Sequence, residues 1–303
     1  MSVAVAAPSI APTLAAAGGA GASAAVIPFV ATPLRISTMT MTANWGSPIN
    51  LDTLFEQLIP YFIPIGYPAE GILKYEHKSL VYGACHKDLF TNRKVTAKSF
   101  FNQSTLVLRR SWDSVPSADG KAAQGWKEIN MKLFANGGIQ MTGVTSEAFA
   151  VAAVEWLLAL IGTLPRSPFP IGVTGAVTKV NVPLINTDYS LNFDIQQDNL
   201  HRILIEEYNL FSMLEKTIYQ GVNTKFFYNT NNEGTGVCRC AAFCKGQGLG
   251  DGEGECKRIT LSIFRTGKII ITGARSMDQI YQAYAFLNSV FARHHARVLI
   301  RRS

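Results

Sequence analysis

The sequence predicts a duplicated α+β fold, and three observations predict it. Residues 256–291, CKRITLSIFRTGKIIITGARSMDQIYQAYAFLNSVF, and residues 127–161, KEINMKLFANGGIQMTGVTSEAFAVAAVEWLLALI, share one pattern: strand, short glycine-bearing turn, strand ending in Thr-Gly, amphipathic helix. Phe134 matches Phe264, Gly137 matches Gly267, and Thr142-Gly143 matches Thr272-Gly273. Upstream of each copy the order of elements repeats as well, a strand followed by a helix. A unit this long that occurs only twice cannot stack into a solenoid, so the two halves are expected side by side about a pseudo-twofold axis.

In chain order, residues 1–33 are Ala, Gly, Pro and Ser-rich, carry no charged side chain and are broken by Pro8, Pro12, Pro28 and Pro33, which predicts a disordered tail. The first basic residue is Arg35, so no basic region precedes an apolar run as in a secretory signal, and Ala and Gly are too weakly apolar for a membrane span. From residue 34, RISTMTMTA alternates as a strand. A helix capped by Asn50 follows, with Leu51, Leu54, Phe55, Leu58 and Ile59 at helical spacing until Pro60 and Pro64. Two short strands are expected at 71–77 and 79–84, a longer one at 100–110, and a loop from 111 to 125 before the first core copy. The first half spans 34–165, a Pro- and Gly-bearing linker 166–176, the second half 177–296 and a basic tail 297–303. In the second half VTKVNVPLINTDYSLNFDI takes the place of the first strand, and DNLHRILIEEYNLFSML that of the first helix, with Asp198 as its expected cap. The middle strand is expected to repeat too, KSFFNQ at 98–103 resembling TKFFYN at 224–229.

At 303 residues with 48% hydrophobic and 16% charged side chains, the chain has ample material for a core. A net charge of +7 favours a polyanionic partner. Four of the five cysteines fall within 238–256 and Cys85 stands apart, which is no disulfide framework and points to a reducing compartment. Cys238, Cys240, Cys244 and Cys256 have the count and softness for tetrahedral thiolate zinc, although C-x-C-x3-C is not the usual pair of knuckles; free thiols are the alternative reading. No cofactor is required otherwise. GQGLGDGEG precedes a strand instead of following one, which disqualifies it as a dinucleotide fingerprint, and Gly267-Lys268 lacks the rest of a phosphate-binding loop. Cys85-His86 are expected to point apart in a strand, His294-His295 fall on a terminal basic segment, and no paired-carboxylate or HExxH motif occurs. The chain reads as a binding protein, not an enzyme.

With these residues in hand, the chain resembles the TATA-box-binding protein family, in the divergent form carried by large DNA viruses. The resemblance rests on IFRTGKIIITGARSMDQIYQAYAFL, on INTDYSLNFDIQQDNL, and, for the viral form, on FFNQ, FANGGIQMTG and the cysteine segment, and it covers about residues 34–296. It implies a saddle: one curved antiparallel sheet built from both halves, helices on the convex face, and a concave underside on the DNA minor groove. Aromatic wedges would unstack base steps at each end, costing roughly a few kcal/mol per step in exchange for a bent duplex that meets more protein. The carry-over makes Phe264 and Phe134 wedges. It puts Ser262, Ile270 and Thr272 on the DNA side of one half and Lys132, Gln140 and Thr142 on that of the other. Lys268, Arg265, Arg275 and Lys132 form a phosphate-contacting rim or a solvated basic face.

For the second wedge of each half, Phe100 or Phe101 and Phe226 or Phe227 are one choice, and Phe101 and Phe227 are adopted; a rival alignment of YPAEGILKY with IYQGVNTKF puts Tyr219 there and leaves no aromatic in the first half. The family's central Asn residues align with Ile36 and Leu184, and Lys132, Gln140 and Ser262 replace apolar floor residues, so readout of a TATA-type sequence is altered. Implied partners are double-stranded DNA, a TFIIB-like factor and RNA polymerase, with no membrane; the implied location is the host nucleus or a cytoplasmic viral factory, with packaging in the virion a further option. A virion-associated or DNA-packaging protein that binds DNA without sequence preference is the alternative function. A saddle domain attached to an enzyme is disfavoured by the lack of a catalytic module.

Overall fold

A computed structural model describes residues 30–90, 102–113, 124–231, 234–240, 244 and 246–300. In the first half β1 (Arg35–Asn44) leads to α1 (Leu51–Leu58), then β2 (Gly71–His77), β3 (Leu80–Gly83), the short α2 (His86–Phe90), β4 (Gln103–Asp113), β5 (Gln124–Phe134), β6 (Gly138–Val144) and α3 (Glu147–Gly162). The second half runs β7 (Thr178–Ser190), β8 (Asp194–Ile195), α4 (Gln197–Glu206), β9 (Phe211–Glu215), β10 (Tyr219–Tyr228), β11 (Lys257–Phe264), β12 (Lys268–Ala274), α5 (Met277–Val298) and β13 (Leu299–Ile300).

Eleven strands form one antiparallel sheet in the order β3-β2-β4-β5-β6-β1-β7-β12-β11-β10-β9. The halves mirror each other about the β1–β7 pair, as the duplicated pattern requires: each opening strand sits at the centre and later strands step outward to the edge. Met39 lies opposite Ile185, with Thr38 facing Asn186 and Thr40 facing Leu184. A twofold through that pair exchanges Thr38 with Leu184 and Thr40 with Asn186. The position matching Leu184 is therefore Thr38, not Ile36. A register shift after Ile36 turns that side chain opposite Thr187 and against the core.

Strand alternation sorts the side chains. Met39, Met41 and Ala43 of β1, Ile129, Met131 and Leu133 of β5, and Ile259, Leu261 and Ile263 of β11 are buried in one core. Leu54 and Leu58 of α1, Val154 and Leu157 of α3, Ile203 of α4 and Phe291 of α5 belong to that core. These four helices cover one face of the sheet and leave the opposite face, the underside, to the alternate residues.

Local chemistry explains most boundaries. Asn50 caps α1 by accepting from the Thr53 N–H at 2.9 Å, and Ser146 caps α3 from Phe149 at 3.1 Å. Gly137 and Gly267 close the two matching turns with φ of +82° and +79°. A Cβ there would lie 2.1 Å from the Ser47 carbonyl oxygen and 2.4 Å from that of Phe193, so only glycine lets the turns dock against the ends of β1 and β7.

Several expectations are corrected. Asp198 does not cap α4; it stands in the first turn and pairs with Lys216 at 2.7 Å, while Gln196 holds the cap position. The helix expected through residue 214 ends at Glu206, where Asn209 turns left-handed with φ of +59° and releases the chain into β9. Cys85 and His86 lie at the start of α2, not in a strand. β4 and β5 extend to Asp113 and from Gln124, into the expected loop. The tail boundary at residue 33 is too late, since Thr32 donates its N–H to Ser190 O at 2.9 Å and Ala31 bridges to Leu191; residues 1–29 lie outside the described residues. The expected basic tail from 297 begins inside α5, continues into β13 against β8, and leaves only 301–303 outside. His294 is a buried residue of α5, its Nε2 3.1 Å from the Tyr208 hydroxyl.

Candidate nucleic-acid interface

Phe264 ends β11 on the underside, since Thr260 and Ser262 share its face while Ile259, Leu261 and Ile263 point to the helices. It is half-buried, outside the core cluster, and its ring meets that of Tyr219 at 5.6 Å between centroids, edge to face. Tyr219 is 39% exposed, and the intervening Gly221, opposite Phe264, leaves room for both rings. Phe134 ends β5 in the matching place, half-buried and likewise outside the core cluster.

The register separates Phe227 from Phe264. Phe227 lies opposite Arg258, at the far end of the β10–β11 hairpin from Phe264, and Phe226 is fully buried against Phe286. The aromatic beside Phe264 is Tyr219. Because Gln103 faces Phe134 as Gly221 faces Phe264, KSFFNQ corresponds to KTIYQG at 216–221, not to TKFFYN. Phe100 and Phe101 lie outside the described residues; in sequence Phe101 stands two residues before Gln103, as Tyr219 stands two before Gly221.

The remaining floor residues fall on the underside. Lys132 and Thr142 are exposed, Gln140, Ile270 and Thr272 are half-buried, and Ser262 is buried at 6% exposure. Arg265 is exposed at the turn after Phe264. Arg275 stands at the opposite end of the hairpin, 3.9 Å from Asp251.

Sequence reasoning missed four features of this face. Asn186 faces Thr38 at the centre with its side-chain oxygen buried and without a hydrogen-bond partner among the described residues. Phe211 and Met213 of edge strand β9 are 59% and 52% exposed beside Lys225 and Asn223.

Asp188, opposite Ile270, is a buried carboxylate in the floor. Arg35 reaches it at 3.0 Å and Lys268 bonds its other oxygen, so Lys268 is tied to the floor instead of lying free at the rim. Burial alone would raise the Asp188 pKa, but the bonds from Lys268 and then Arg35 outweigh it and hold it below the ordinary 3.8. A depressed folded pKa contributes stability above the unfolded value that is lost as pH falls through the folded one. Asp188→Asn should therefore flatten the acid limb of the stability curve below about pH 4, measured by urea unfolding across pH; an unchanged limb would show that the carboxylate is not ionised in this pair.

In the first half the outer underside is covered. The chain rounds the sheet edge after α1, and Arg109, 3% exposed, donates to Tyr67 O at 2.7 Å and to Ile65 O. Ile63 and Cys85 pack on Leu73 and Val107, Lys74 pairs with Asp88 of α2 at 2.8 Å, and His86 bonds Glu128. Cys85 thus lies apart from the other four cysteines. Arg110, on the opposite face, pairs with Glu70 at 2.9 Å and stacks over Trp156.

The fold and this face define a duplicated sheet platform with helices on one side and a polar, aromatic-tipped floor on the other. The family described as transcription factor TFIID, or TATA-binding protein, matches residues 254–294. A "TATA-box-binding protein-like" protein of Acanthamoeba polyphaga mimivirus is 26% identical over 287 residues, covering 88% of this chain and 67% of the relative. The solved structure of Methanococcus jannaschii TBP aligns with 86% of this chain and 99% of its own at 13% identity and a TM-score of 0.45. Over these matches the chain is similar to TATA-binding proteins, and to a divergent form carried by a giant virus. The family that matches residues 254–294 is described as a transcription factor. Among the described residues no helix is long and apolar enough to cross a membrane.

Proposed function

We propose that the chain binds double-stranded DNA along its underside, in the minor groove, and bends it as a transcription initiation factor. The observation that carries this reading is the Phe264–Tyr219 pair at one end of the floor, outside the core, with Phe134 in the matching place of the other half. An aromatic buried in the core could not enter a base step, whereas one at a strand end on the open face can. In this reading the helical face recruits a TFIIB-like factor and RNA polymerase, and the protein works in the host nucleus or a viral factory and can enter the virion.

The polar floor favours a second reading. Exposed Lys132 adds charge that attracts phosphates without reading sequence, which suits a packaging protein. Titrating AT-rich, GC-rich and scrambled duplexes at two salt concentrations, with donor and acceptor dyes on the duplex ends, separates the two. Initiation requires a preferred duplex and a bend. Equal binding to all three with a steep salt slope and no bend would establish packaging instead.

A further inference from the structure

We propose that Cys238, Cys240, Cys244 and Cys256 bind one structural zinc ion as a tetrathiolate site that closes the long β10–β11 connection. The four Sγ atoms all lie within 4.8 Å of one another. Cys244 is 3.5 Å from Cys238 and 3.6 Å from Cys256, and Cys256 is 3.7 Å from Cys238. Tetrahedral zinc with Zn–S bonds of about 2.3 Å places its sulfurs about 3.8 Å apart. These separations are also far longer than the roughly 2.05 Å of a disulfide, so the cluster has the edge length of a metal tetrahedron and not of paired cystines.

The surroundings suit a thiolate site. The Gly248 N–H donates to Cys244 Sγ at 3.1 Å and the Asn229 amide approaches Cys240 Sγ at 3.8 Å, contacts that orient sulfur and favour its anionic form. Four thiolates around a divalent ion leave net negative charge, and Arg239 and Lys257 adjoin the ligands in sequence. The glycine run explains itself here as well. A Cβ at Gly248 would lie 2.5 Å from the Arg258 nitrogen, and one at Gly254 2.0 Å from Asn229 Oδ1, so those glycines let the connection fold tightly around the cysteines.

The site stands where Tyr228 pairs with Lys257, at the end of the hairpin away from Phe264. Zinc there would fix the strand ends without touching the underside, and its role does not rest on the DNA reading.

Full-length protein made in zinc-replete, reducing conditions is expected to hold about one zinc per chain by elemental analysis. After chelation, cobalt(II) should restore the sulfur-to-cobalt charge-transfer band and the intense visible absorption of tetrahedral tetrathiolate cobalt. Cys244→Ser and the more exposed Cys240→Ser should lose most of the zinc, and Cys85→Ser should keep it. The cobalt spectrum of the unsubstituted protein needs no variant to fold. Fully reduced protein that holds no zinc and gives no such spectrum, or zinc retained at full stoichiometry in Cys240→Ser and Cys244→Ser alike, would overturn the proposal.

Discussion

Replacing Phe264 with alanine should leave the melting temperature of the free protein almost unchanged while weakening DNA binding about 10- to 100-fold, or ~1–3 kcal/mol per lost aromatic–base stack, and reducing the bend. The asymmetry follows from where the ring sits. Phe226 and Phe291 are fully buried in the core, and truncating either would cost ~3–5 kcal/mol of stability. Phe264 lies outside that core, and the neighbour that defines its position is Tyr219, whose edge-to-face contact contributes ~0.5–1.5 kcal/mol beyond burial. Tyr219→Ala should act in the same direction, and the double variant should lose less than the sum, because the two rings act as one wedge. Melting curves and fluorescence transfer between duplex ends measure the two effects separately. A large fall in melting temperature with bending retained by the folded fraction would falsify the wedge assignment and return Phe264 to the core.

The parts of this molecule legible in sequence are those whose signal is local. The turn of Phe-x-x-Gly, the Thr-Gly at each strand end and the Asn50 cap of α1 write their geometry within a few residues. The duplicated halves followed from them, whereas the single sheet was implied by the family resemblance. What the sequence concealed was register. KSFFNQ and TKFFYN look alike, yet hydrogen bonding sets Gln103 against Phe134 and Gly221 against Phe264, which moves the second aromatic from Phe227 to Tyr219. The same holds at the centre, where one irregularity in β1 transfers the position matching Leu184 from Ile36 to Thr38. Asp188 was invisible for a related reason: its partners Arg35 and Lys268 are distant in sequence and meet only across β1, β7 and β12. The cysteine cluster was legible as a count, but its convergence depends on a connection that folds back on β11.

Arg109→Met should lower stability by ~1.5–3 kcal/mol, the range for hydrogen bonds made by a charged group, and should loosen residues 63–70 ahead of the rest of the fold. Arg109 is a buried cation whose nearest carboxylate, Glu128, is 4.0 Å away, so its charge is satisfied mainly by the Tyr67 and Ile65 carbonyls. Its planar guanidinium serves both at once and ties the chain crossing the sheet edge to the underside. Lysine offers one point charge on a flexible stem, so Arg109→Lys should recover only part of the loss. Methionine fills the volume but leaves two carbonyls without their donor and removes a cation 4.0 Å from Glu128, a carboxylate that also bonds His86. The segment over Leu73 and Val107 is held by this clamp and by Lys74–Asp88, so hydrogen exchange at 63–70 should accelerate before global unfolding. Buried ion pairs replaced by apolar side chains are sometimes neutral or stabilising, which makes the sign informative. A melting temperature equal to or above that of the unsubstituted protein, with exchange at 63–70 unchanged, would mean that apolar packing by Ile63 and Cys85 holds the segment and that Arg109 is a passenger in it.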